Sequence, residues 1–240
     1  MKPYLLIFSL LVAFARADAN IESANKLYET GKYSEAVAAF NTVLDGGNKS
    51  AEVYYNLGNS YFKDKKLGLA ILCYEKALKI SPRDADIKYN LDFARSFIKE
   101  TAVADAASKI INAIYYFLTI NELCVILSLI FILLMGLIIY RLFKKNELSY
   151  WLTFSFSILF GILFVFSSMR IVENENTKTA IVTSASVEAK AAPIESNPAS
   201  FTIPEGKKLY IINTRQDWVE ILLKSENMKG WIKKDTISEI

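Results

Sequence analysis

Residues 51–82 read AEVYYNLGNSYFKDKKLGLAILCYEKALKISP, and much of this stretch is a second copy of the sequence 34 positions before it. Ala24, Leu27, Ala36, Phe40 and Leu44 precede Gly58, Tyr61, Ala70, Tyr74 and Leu78 by 34 residues each. In each copy apolar residues recur at helical spacing, break at Thr30-Gly31-Lys32 or Asp64-Lys65-Lys66, and resume. Small residues, Ala24 or Gly58 and then Ala36 or Ala70, stand where one helix must approach another closely. One such helix pair cannot bury its own apolar face, so the pattern predicts pairs stacked on each other.

The second copy carries Tyr54, Leu57-Gly58, Tyr61, Ala70, Tyr74, Ala77 and Pro82, and in these positions it resembles the tetratricopeptide repeat. The expected helical domain covers residues 18–100, with repeats at 20–50 and 51–83. Ser34-Glu35 is expected to open the second helix, and Ser81-Pro82 to stop the fourth, since proline cannot continue a helix. Asp84 to Glu100 reads as a further helix: Ala85 and Leu91 follow Ala51 and Leu57 by 34, but Asp92 replaces Gly58. It is expected to cap the exposed face of repeat two.

The resemblance implies a groove lined by the first helix of each pair. That places Ile21, Asn25, Tyr28 and Glu29 there, with Tyr55, Asn59, Phe62 and Lys63. Asn25, Tyr28, Tyr55, Asn59, Phe62 and Lys63 are the candidate partner-binding residues. Some relatives clamp a peptide carboxylate with asparagines and cations. Here Ile21, Asp86 and Asn90 stand where that pattern has basic residues, so the charge-assisted bonds of the clamp are missing. Asn56 and Asn90 are read instead as helix-to-helix hydrogen bonders.

Composition excludes much chemistry. The chain has 240 residues, a net charge of +3 and no histidine. A Ser-His-Asp or Cys-His mechanism and any His-containing metal site are ruled out. The two cysteines, Cys73 and Cys124, lie in a repeat helix and an apolar run and read as packing residues. No catalytic residue, metal site or cofactor is expected. Without residues 1–17 the chain loses Lys2 and Arg16 and no acid, leaving +1, which is no footprint for nucleic acid.

Lys2, the apolar run Tyr4 to Phe14, and Ala15-Arg16-Ala17 make residues 1–17 a signal peptide, with Ala19 as the alternative cleavage site. Cleaved or retained, it sends residue 18 onward across a membrane. The hydrophobic fraction, 52%, directs attention to further membrane segments. Residues 101–121 are expected to lie along the surface as an amphipathic helix. Ala107, Ile110, Ile111, Ile114, Phe117 and Leu118 form one face, and Tyr115 and Tyr116 suit the interface. Two transmembrane helices are expected at 122–142 and 148–170. Leu123 to Tyr140 is 18 residues without a charge, about 27 Å of helix, and Leu148 to Met169 is 22 residues, about 33 Å. Arg141, Lys144 and Lys145 lie between them, so the short loop reads as cytoplasmic. The serines of the second run and Gly161 read as packing residues.

After a polar linker, Glu173 to Thr177, residues 177–240 show five or so short strands, expected to form a small barrel. The turn Pro204-Glu205-Gly206, the strand Trp218-Val219, the strand Gly230-Trp231-Ile232 and the closing Asp235-Thr236-Ile237 resemble the bacterial SH3 family. Trp218 is either a recognition surface for peptide or wall stem peptide, or a packing residue. Trp231 reads as packing.

The fold class is therefore multi-domain: an all-α tetratricopeptide repeat, a two-helix transmembrane hairpin and a small all-β SH3-like barrel. That order resembles the E member of the Bat (aerotolerance operon) proteins. The resemblance implies a cell-envelope scaffold, both soluble parts external. Its protein partners would be von Willebrand A-domain membrane proteins and, indirectly, a MoxR-type ATPase. The alternative is a peptidoglycan-binding protein acting through the SH3-like part.

Overall fold

The computed structural model describes residues 20–98, 115, 117–144 and 146–240. The expected signal peptide and most of the expected interfacial helix lie outside these residues. The chain divides into two compact units, one drawing on residues before 103 and after 177, the other on the stretch between.

Among the described residues the first unit begins with five helices: α1 (20–29), α2 (Tyr33–Asp45), α3 (Ala51–Lys63), α4 (Leu67–Ile80) and α5 (Ala85–Arg95). The turns joining each pair are equivalent: Gly31 and Lys65, 34 residues apart, both adopt positive φ. Helix starts are set by side chains where the sequence supplies them. Ser50 accepts from the Val53 amide, and Asp84 from the amides of Asp86 and Ile87. Ser34 does not open α2, which starts at Tyr33 behind Lys32 with no side-chain cap. Instead the Ser34 hydroxyl donates to Asp64 Oδ1 at 2.7 Å and ties one repeat turn to the next. Lys66 reaches the same carboxylate at 2.7 Å.

Two apolar clusters hold the helices. Ala24, Ala36, Val37, Phe40 and Val43 pack with Val53, Leu57 and Cys73; Ala70, Ile71, Tyr74 and Ala77 pack with Ile87, Leu91, Ala94 and Ile98. Gly58 is required by closeness, since a Cβ there would lie 2.7 Å from Tyr74 Cε1. The capping helix is shorter than expected: α5 ends at Arg95 and turns through Ile98, the last described residue before 115.

The same unit contains seven antiparallel strands rather than about five. They are β1 (Lys178–Val182), β2 (Ser186–Lys190), β3 (Ala199–Pro204), β4 (Lys208–Arg215), β5 (Trp218–Leu223), β6 (Met228–Lys233) and β7 (Ile237–Glu239), in spatial order β3-β2-β6-β5-β4-β1-β7. A 3-10 turn at Lys234–Thr236 leads the chain into β7, which adds a second edge to β1. Every strand sends residues into one core, among them Val182, Val187, Ile203, Leu209, Ile221, Ile232 and Ile237.

Strand β1 is buried on both faces. Ala180 and Val182 point into the core of the sheet, while Ile181 between them, fully buried, joins the helical cluster of α4 and α5. The sheet and the repeats are thus packed against each other, where the sequence reading treated them as separate modules. The Gly68 amide donates to Glu205 Oε1 at 2.7 Å, and Lys208 Nζ to Glu75 Oε2 at 2.9 Å.

The second unit contains α6 (Ile120–Phe143) and α7 (Glu147–Asn176), both long and apolar enough to cross a membrane. Thr119 and Glu122 form a reciprocal capping box on α6, and Asn146 caps α7. Within the expected interfacial helix, 101–121, Tyr115 is helical, residues 117–119 are not, and Ile120 and Asn121 already belong to α6. Ser149 and Thr153 are buried, and their hydroxyls donate to the backbone carbonyls of Asn146 and Ser149. Arg170, at the end of the apolar run, donates to the carbonyl oxygens of Tyr115 and Leu118. The stretch read as a polar linker is helical up to Asn176. It contains neither glycine nor proline, so nothing stops propagation before Thr177.

Candidate functional site

The groove takes shape from α1, α3, α4 and α5. A concavity of about 200 Å³ is lined by Tyr28, Asn59, Phe62, Lys63, Tyr74, Tyr89, Asn90 and Phe93. Of the six candidate residues, Tyr28, Asn59, Phe62 and Lys63 lie there.

Asn25 and Tyr55 are not among the lining residues. Asn25 Oδ1 accepts from Asn56 Nδ2 at 3.1 Å, a bond between α1 and α3. The Tyr55 hydroxyl accepts from Asn90 Nδ2 at 3.0 Å, and the same amide reaches Asn59 Oδ1 at 2.9 Å. Asn59 Oδ1 also accepts from the Tyr74 hydroxyl at 2.8 Å. Asn56 and Asn90 therefore do bond helix to helix, as the sequence reading preferred.

Tyr74, Tyr89, Asn90 and Phe93 were not anticipated as lining. A signal existed for three of them. Tyr89, Asn90 and Phe93 follow Tyr55, Asn56 and Asn59 by 34 residues, so α5 stands as the first helix of a third pair. Its outer edge is aromatic. Phe62, Phe93 and Phe97 meet with ring centroids 5.2 to 5.7 Å apart, and Phe93 and Phe97 are 48% and 61% exposed. Exposed rings in contact with one another are the kind of apolar patch that marks an interaction surface.

The electrostatics are quiet. Burial raises the pKa of Tyr28 and of Tyr74, with neighbouring tyrosines adding to the effect, so both phenols stay neutral. Lys63 is the one charged residue in the lining. Neutral donors and acceptors beside aromatic faces can hold a peptide backbone and an apolar side chain. Among the described residues no three Cys, Asp or Glu side chains converge on a point that would hold a metal.

Trp218 is only 9% exposed. Lys190 and Lys233 lie over its ring, 5.8 and 4.5 Å from the centroid, and Lys233 is fixed by Glu195 at 2.7 Å. That hydrogen bond lowers the pKa of Glu195 and raises that of Lys233. Trp231 is the more exposed of the two indoles.

Residues 51–84 match the family model described as tetratricopeptide repeat, and residues 24–65 match a second, described as TPR repeat. No curated protein matches the chain. Residues 24–84 form a tetratricopeptide-repeat region, and the groove just described belongs to it.

Proposed function

We propose that the chain is a non-enzymatic, membrane-anchored scaffold of the bacterial cell envelope that holds a protein partner in its repeat groove. The groove carries this reading. Its lining offers amides, phenols, rings and one cation, a set that binds and positions a peptide. In the anchored form α6 and α7 cross the bilayer as a hairpin, with Arg141, Lys144 and Lys145 on the cytoplasmic side. Residues 20–98 and 178–240 pack into one unit, so they share one side of any membrane the hairpin crosses. With the signal-like N-terminus, that side is the periplasmic one.

The Bat-type assignment belongs to the same proposal. It rests on the order of helical repeats, hairpin and a seven-stranded sheet taken as SH3-like from its Pro204-Glu205-Gly206 turn, its Trp218-Val219 and Gly230-Trp231-Ile232 strands and the closing Asp235-Thr236-Ile237. Under it the partners are von Willebrand A-domain membrane proteins, with a MoxR-type ATPase reached through them. The alternative, peptidoglycan binding through the SH3-like part, would use Trp218 and Trp231, with Lys190 and Lys233 over the Trp218 ring.

A photo-crosslinker at Phe62 or Phe93 of the full chain in native membranes tests the groove. A discrete protein adduct that disappears on Asn59→Ala is expected. Labelling of lipid alone, or adducts indifferent to Asn59, would refute the groove as a partner site. A reporter fused at Asn146 that gave an external signal would overturn the topology.

A further inference from the structure

The most telling feature outside the groove is the seam between the sheet and the helices. Four observations locate it. Ile181 is fully buried in the cluster that contains Ile87, Leu91, Ala94 and Ile98. Gly68 lies so close to β1 that a Cβ would sit 2.4 Å from the Val182 carbonyl oxygen, and its amide donates to Glu205. Gly206, at φ 81, leaves room in which a Cβ would meet Ile71 Cδ1 at 2.7 Å and Ile98 Cδ1 at 2.8 Å. Glu75 of α4, 8% exposed, takes Lys208 of β4 on one carboxylate oxygen and Arg95 of α5 on the other.

Most of these contacts fall on α4, and α5 joins them through the shared apolar cluster, through Arg95 on Glu75 and through Ile98 just beyond its end. One side of α5 supplies Tyr89, Asn90 and Phe93 to the groove. The opposite side supplies Ile87, Leu91 and Ala94 to the cluster that Ile181 completes, and its end supplies Arg95 to the shared carboxylate. In a stack of two helix pairs the outer face of the last helix needs a covering layer. Here the sheet forms that layer jointly with α5.

We infer that the C-terminal sheet is a positioning element of the groove: docked through β1 and the Glu205-Gly206 turn, it holds α5 and therefore the α5 wall of the partner site. Glu75 is the positioning residue that joins sheet, α4 and α5. Undocking the sheet loosens the wall, and by linkage a partner that grips Tyr89 and Phe93 tightens the docking. The consequence for partners rests on the groove reading, but the coupling itself is tested without any partner.

Amide hydrogen exchange of the full chain in detergent micelles measures the coupling. Two variants separate the contributions. Gly68→Val drives a side chain into Val182, and Lys208→Ala removes one partner of Glu75 and leaves Arg95. For Gly68→Val, exchange in residues 178–182 and 85–95 is expected to rise together by about tenfold, with residues 20–45 unchanged. For Lys208→Ala the rise in 85–95 is about threefold, and Lys208→Arg restores protection. Faster exchange in 178–182 with 85–95 unmoved would overturn the proposal. So would an equal rise through 20–45, the mark of general destabilisation, or no response to Gly68→Val at all. These exchange changes with the Phe93 crosslink unaffected would count against the groove reading alone.

Discussion

Gly31 and Lys65 occupy the same turn position in the two repeats, with φ of 78 and 61. Glycine reaches this left-handed region without a steric penalty; a lysine Cβ costs roughly 1–2 kcal/mol there, partly offset by its smaller loss of chain entropy on folding. Lys65→Gly is therefore expected to stabilise the chain by about 0.5–1 kcal/mol, and Gly31→Ala to destabilise it by about 1 kcal/mol. Nothing lies within 4 Å of a Cβ built at Gly31, so that second effect is one of backbone alone. Urea unfolding measures both, and the slope should not change. Cys73 makes a second prediction at this scale. Burial pushes its thiol up to about 12 from an ordinary value of 9. The folded state keeps the proton that the unfolded chain sheds above pH 9, so this site costs stability as pH rises from 9 to 12. At pH 8, thiolate-selective alkylation of Cys73 should be about a thousandfold slower in the native than in the unfolded chain. Comparable rates would mean that α4 opens readily.

At the scale of elements, α5 separates what was legible in the sequence from what was not. The 34-residue spacing located the helices, because buried positions such as Ala24, Gly58, Ala36 and Ala70 must recur where the packing recurs. The same spacing places Tyr89 and Phe93 in the groove, yet Asp92 in the place of Gly58 made α5 read as a cap alone. Asn25 is absent from the lining of the concavity for another reason. A periodic pattern assigns a residue to a face, but the Asn56 amide that draws Asn25 inward is visible only in three dimensions. The docking of Ile181 was illegible because three apolar residues in a row, Ala180-Ile181-Val182, do not say what lies on either face. The last turns of α7 were illegible because a polar composition does not distinguish a linker from a helix that continues, as this one does to Asn176. Asn90 and Phe93 sort the two duties of α5. Asn90→Ala removes the donor that Asn59 Oδ1 and Tyr55 share, and is expected to lower stability by about 1–2 kcal/mol. Phe93→Ala truncates a ring that is 48% exposed. It should change stability far less while abolishing crosslinks formed from Phe62.

For the whole molecule, the hairpin is an insertion into one folded body. The chain leaves the helical repeats, runs through α6 and α7, and returns to place β1 on α4. If that body is complete without the hairpin, residues 103–177 can be exchanged for a flexible Gly/Ser linker of about 20 residues, which spans roughly 25 Å on average. The product should be soluble, since the apolar surfaces of α6 and α7 go with the deletion. It also has a built-in test of unity. Removing Trp151 leaves Trp218 and Trp231, both in the sheet, as the only indoles. Tryptophan fluorescence then follows the sheet, while far-ultraviolet circular dichroism follows mainly the helices. Coincident urea transitions from the two signals are expected, the sign of a single cooperative unit. Two separate transitions would mean that the sheet and the repeats fold independently and merely touch. Gly68→Val in this background should pull the coincident transitions apart, because it removes the docking while leaving each core its own apolar residues.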